Sequence, residues 1–149
     1  MKSTFNFITS EGRTSRDTGL LILRLVFGLV LFYGHGFEKL SVILGGQQIQ
    51  FMDPIGIGAN TSYYMAGFAE GVCALLLILG LFSRIATIIL SVNFLVIFIF
   101  HAFMNGDGFQ VLELRFLYLF SFIALTLTGP GRLSLDYLLF QRKNRFEKT

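Results

Sequence analysis

The sequence has 149 residues, enough for one domain, of which 54% are hydrophobic and only 14% charged, with a formal net charge of +3. So apolar a balance leaves too little polar face to coat a soluble bundle, and the single cysteine, Cys73, excludes an internal disulfide or a CxxC redox pair. The positive excess sits at the borders of apolar segments, where lipid headgroups account for it, so nucleic acid is not an expected partner.

The N-terminal stretch carries Lys2, Glu11, Arg13, Arg16 and Asp17. The apolar run after it is too long for a signal-peptide core, so an attached anchor is expected. The pattern predicts spans at about 19–40, 62–82, 85–103 and 109–128. Each has the length needed to cross a ~30 Å hydrocarbon core at roughly 20 residues per helix. None shows the strict alternation of a membrane barrel strand. The expected fold is therefore all-α, a membrane-spanning four-helix bundle forming one domain over 1–149, with the lipid bilayer as its first partner.

Lys and Arg precede the first span, mark the turn after the second and follow the fourth, whereas 41–61 and 104–108 hold none. The positive-inside rule then puts both termini in the cytoplasm. The 41–61 loop, rich in Gly and Gln, is expected to cap the outer face of the bundle. After the fourth span, Gly129-Pro130-Gly131 stops the helix, and Ser134 can cap a short interfacial helix at about 134–142.

Within the spans, Arg24, Gly28, Leu31, His35 and Glu38 share one face of the first helix at roughly 100° per residue. Charges facing lipid are costly, so this face is expected to point inward. Glu70, near mid-membrane on the second helix, must be paired, hydrogen-bonded or protonated, because desolvation disfavours its ionised form. Arg24 is its expected partner and His35 the second. The third helix carries Asn93 at mid-depth and His101 at its outer end, and the fourth enters with Glu113 and Arg115. His35, Glu38, Lys39, His101, Glu113 and Arg115 are expected to form a polar cluster under the outer loops.

The bland readings are also physical. Lys39 and Arg115 can snorkel to headgroups, Asn93 can serve as interhelical glue, and Cys73 as a small packing residue. Gly28, Gly34, Gly67 and Gly71 fit positions of close helix approach. Two histidines at similar depth could in principle ligate a haem, but without a further motif they do not support one, and no metal or flavin signature is present.

The segments LRLVFGLVLFYGHGFEKL, AEGVCALLLILGLFSRIA and LELRFLYLFSFIALTLTGPGRLSLD resemble the DoxX family of small four-helix membrane proteins over about residues 20–136. The resemblance implies a bacterial inner-membrane protein in a group linked to membrane redox complexes, including thiosulfate-to-quinone electron transfer in the related DoxD proteins. Arg24, His35, Gly36, Lys39, Glu70 and Arg84 occupy family-like motif positions.

On this reading the chain is an accessory or quinone-interacting subunit of a membrane redox complex, with no intrinsic cofactor. His35, Glu70 and Arg24 are the candidate reactive groups. Glu38, Lys39, Asn93, His101, Glu113 and Arg115 are the candidate ligand contacts. Electrons would come from another membrane or periplasmic redox protein, and self-association is a further partnership open to it. The alternatives are a non-catalytic scaffold or assembly subunit and, more distantly, a small transporter or proton path.

Overall fold

The computed structural model describes residues 12–141. Four helices dominate it: α1 (Thr14–Leu44), α2 (Ala59–Leu79), α3 (Ser83–Met104) and α4 (Phe109–Thr128), each long and apolar enough to cross a membrane. Among the described residues there is no strand. Helix α1 lies along α2, α2 along α3, α3 along α4, and α4 closes against α1, so α1 and α3 are diagonal. One end of the bundle, the terminal end, holds the start of α1 and the segment after α4. The other, the loop end, holds the 45–58 connection.

The helices pack through small residues, leucines and one aromatic column and leave much other apolar surface outward, as expected where the surroundings are lipid. Ala69, Cys73, Ala74, Leu77, Ala86 and Leu90 fill the centre, while Val30, Val92, Leu117 and Phe120 face outward. Phe94, Tyr118 and Phe122 form an aromatic column, with Phe94 stacked on Tyr118 at 4.7 Å between centroids. Such a pair is worth about 1 kcal/mol beyond its buried area.

The register of α1 on α2 is set by close backbone approach. Gly28 faces Ala74 and Ile78, Gly67 faces Lys39 and Ile43, and a Cβ added to Gly36 would collide with the Glu70 carbonyl. Gly34, expected at such a contact, has open space around it, because it sits on the outward side of the same turn. Each crossing except α4 contains one π-turn, over Phe32–Gly36, Phe68–Cys73 and Phe100–Met104, with a fourth at Tyr137–Gln141. Insertions of this kind rotate the following face of a helix and are frequent at functional sites.

Helix α2 ends in a Schellman motif, with Gly80 left-handed at φ 69 and the Leu81 amide donating to Leu76 O at 2.9 Å. Phe82 follows with φ 47, a costly conformation for a bulky residue. It is held there by Asp136, whose carboxylate accepts from the Phe82 and Ser83 amides at 2.7 and 2.9 Å. Asp17 accepts from the Arg132 amide at 3.1 Å, tying the start of α1 to the segment after α4. Ser134 Oγ accepts from the Tyr137 amide at 3.2 Å, so the short helical segment is capped where the spacing indicates. Its expected end at 142 lies outside the described residues.

Candidate functional site: a polar chamber at the loop end

At the loop end the four helices splay around a cavity of about 190 Å³. Helix α1 contributes His35 and Lys39, α2 contributes Glu70, α3 contributes Phe94, Ile97 and His101, and α4 contributes Leu114, Arg115 and Tyr118. The connection after α1 folds back so that Phe51 and Met52 form the roof. Phe51 is braced edge-on by Tyr63 at 5.2 Å. Three of the chamber's titratable groups, His35, Glu70 and His101, sit inside the three π-turns.

Glu70 is only 3% exposed. The Lys39 ammonium donates to its Oε2 at 2.7 Å, and Asn93 Nδ2 donates to its Oε1 at 3.1 Å. Both carboxylate oxygens are therefore engaged, from α1 and α3. The expected pairing with Arg24 does not form. Because Gly36 packs on the Glu70 backbone, Arg24 lies twelve residues from that level, on the order of 18 Å at 1.5 Å per residue. It is buried instead at the terminal end, where its Nη2 donates to Leu133 O at 2.5 Å and its guanidinium packs on Gly80 and Ser134. His35 is exposed and lines the chamber without meeting Glu70 in a hydrogen bond.

Across the chamber, His101 Nδ1 lies 2.5 Å from Asp107 Oδ2, and its Nε2 lies 3.4 Å from Arg115 Nη2. A guanidinium can only donate, so this arrangement fits the neutral tautomer with its proton on Nδ1 and a lone pair toward Arg115. The His101 hydrogen bond holds the Asp107 carboxyl below its ordinary value. Arg115 Nη1 donates to Val111 O at 2.5 Å, while its Nε is buried without an acceptor among the described residues.

The remaining expected contacts fall elsewhere. Glu38 is exposed and lines a shallow neighbouring recess with Lys39, Gln48 and Tyr63. Glu113 is exposed and does not line the chamber. Asn93 reaches Glu70 from the side and also borders an apolar groove of about 300 Å³ between α2 and α3, which shares Phe51 and Ile97 with the chamber. Tyr118 and Phe51 read in the sequence as two aromatics among many, and only Tyr118's place one turn after Arg115 could have marked it. Among the described residues no three His, Cys, Asp or Glu side chains gather as a metal-holding group.

Four apolar crossings around a chamber lined by Lys39, Glu70, His101 and Arg115 define a multi-pass membrane protein with a polar interior site. The DoxX family profile matches residues 19–102, and the chain belongs to the DoxX family. The match takes in His35, Lys39, Glu70, Asn93 and His101, and stops short of Arg115 and Tyr118. The chain is 30% identical over 129 residues to the protein named "Putative oxidoreductase CatD" of Bacillus subtilis (strain 168), covering 87% of this chain and 92% of that one. No solved structure matches.

Proposed function

We propose that this protein is a membrane subunit of an oxidoreductase system that holds the ring of a quinone, or a quinone-like amphiphile, in the loop-end chamber. The observation that carries the reading is the chamber's lining, in which the Arg115 guanidinium of the α4 wall stands beside apolar side chains. A guanidinium on a cavity wall can donate to a ligand oxygen. Phe51, Phe94, Ile97 and Leu114 offer flat apolar walls, and His35, Lys39 and Tyr118 add donors around them. The adjoining apolar groove gives a hydrocarbon tail a way out between α2 and α3. The name carried by the Bacillus relative points the same way.

Reduction of a quinone to a quinol takes up two electrons and two protons. The electrons come from a partner redox protein of the membrane or its outer side. His35, exposed at the chamber edge, delivers one proton to one carbonyl oxygen, water entering at that open edge delivers the second to the other, and the Lys39–Glu70 pair holds the chamber's charge fixed meanwhile. The Arg16, Arg84 and Arg132 side chains at the terminal end support a bacterial inner-membrane location with that end in the cytoplasm.

The test is titration of the purified protein with a fluorescent or spin-labelled quinone analogue. Binding that falls at least about tenfold in Arg115→Gln, the loss of one charge-assisted hydrogen bond, supports the proposal. Absence of binding by the folded wild-type protein sinks it. A scaffold role is favoured by one observation, the full engagement of Glu70 by Lys39 and Asn93. It predicts that Glu70→Gln disrupts assembly with partner subunits and that the wild-type chamber stays empty.

A further inference from the structure

A second cavity, of about 720 Å³, lies at the terminal end, within the range of small-molecule sites and apart from the chamber. Three arginines from three elements line it: Arg16 of α1, Arg84 at the start of α3, and Arg132 after α4. None forms an ion pair among the described residues. The two carboxylates on the same cavity are already committed to backbone amides, Asp17 to Arg132 N and Asp136 to Phe82 N and Ser83 N. The amides at the start of α3 are thereby occupied, and three arginines against two amide-bound carboxylates leave the lining with an excess of positive charge.

Their placement is fixed by the fold. The Arg84 guanidinium crosses over Gly129, where an added Cβ would lie 3.4 Å from both Nε and Nη2. Arg132 stacks toward Tyr137, its Cζ 5.9 Å from the ring centroid. On the same cavity Phe82, Ile85 and Phe140 present apolar surface, at 51%, 59% and 51% exposure. The helix ends put the cavity at headgroup depth, so its chemistry is polar and cationic inward and hydrocarbon-compatible outward.

The geometry points to a phosphate-binding site at the terminal end, filled by the phosphodiester of a net-anionic phospholipid whose acyl chains run along Phe82 and Ile85. Guanidinium groups take phosphate oxygens in paired hydrogen bonds, and a headgroup without its own ammonium leaves the full charge available to them.

Native mass spectrometry of the full chain in detergent, titrated with phosphatidylglycerol or phosphatidylcholine, tests this without any variant. The expected result is retention of phosphatidylglycerol over phosphatidylcholine. That preference should fall about twenty-five-fold in the Arg84→Gln/Arg132→Gln double variant, each arginine near a membrane surface supplying about fivefold. Arg84→Lys/Arg132→Lys, which keeps the charge, should recover part of it. Retention unaffected by millimolar inorganic phosphate identifies the lipid as the source, and displacement by that ion identifies the same site filled from water. Equal retention of the two lipids by the wild type, or an unchanged preference in the folded double variant, overturns the proposal.

Discussion

Lys39 Nζ stands 2.7 Å from Glu70 Oε2, joining α1 to α2 inside the membrane span. The pair is shielded, with side-chain exposures of 14% and 4%. Removing one partner of a buried pair strands the other charge, at a cost of roughly 3–5 kcal/mol. Lys39→Met and Glu70→Gln should each destabilise the protein by about that much, and Lys39→Met/Glu70→Gln together by less than the sum of the two. Unfolding in mixed micelles, followed as a double-mutant cycle, measures the coupling.

Gly36→Ala and Gly34→Ala should part company. The first forces a methyl against the Glu70 carbonyl and must spread α1 from α2, at about 1–3 kcal/mol, the cost of overpacking a close contact. The second meets nothing within 4 Å and should be near neutral. Thermal unfolding of the two variants side by side provides the comparison.

Arg24→Met should loosen the terminal end. The guanidinium holds the Leu133 carbonyl, and its loss removes one of two ties between α1 and the segment after α4, leaving that of Asp17 to the Arg132 amide. Faster hydrogen exchange at the Asp136 amide, which donates to Gly80 O at 2.9 Å, is the expected readout. Amides of the Ile57 and Gly58 turn, at the opposite end, should keep their wild-type rates.

Asp53 should make the loop end acid-sensitive. Its carboxylate accepts from Ser62 Oγ at 2.8 Å and from the Gly58 and Ile57 amides at 2.6 and 3.1 Å. The Ser62 hydrogen bond, with those from the backbone, draws it below the ordinary 3.8. A lowered folded value means the stabilisation is complete above the ordinary carboxylate range and is lost as pH falls through the lowered one. Protection of the Ile57 and Gly58 amides should hold at pH 5 and above, within the range of roughly 5–8 where proteins are most stable, and collapse only under strong acid. Asp53→Asn should abolish the pH dependence.

The crossings were legible because hydropathy alone decides them, and the loop-end cluster because His35, Lys39, His101 and Arg115 fall at a common depth. The pairing inside it was not. Arg24 and Glu70 both lie in the interior of neighbouring helices, but their relative height depends on which glycine meets which backbone, and Gly34 and Gly36 are indistinguishable by residue type. The π-turns that carry His35, Glu70 and His101 leave no composition signal either. Asp17, Asp53 and Asp136 read as ordinary charges at segment borders. Only the folded chain shows their oxygens satisfying amides up to 115 positions away. Glu38 and Glu113 have the right depth and the wrong azimuth.

The reach of Asp136 back to Ser83 spans 53 positions of chain, so the first amides of the third crossing wait for their acceptor until the segment after the fourth crossing has been synthesised. Insertion into the bilayer can therefore place all four segments before the hairpin between the second and third is locked. The strained backbone at Phe82 can take its final hold only after the fourth crossing exists.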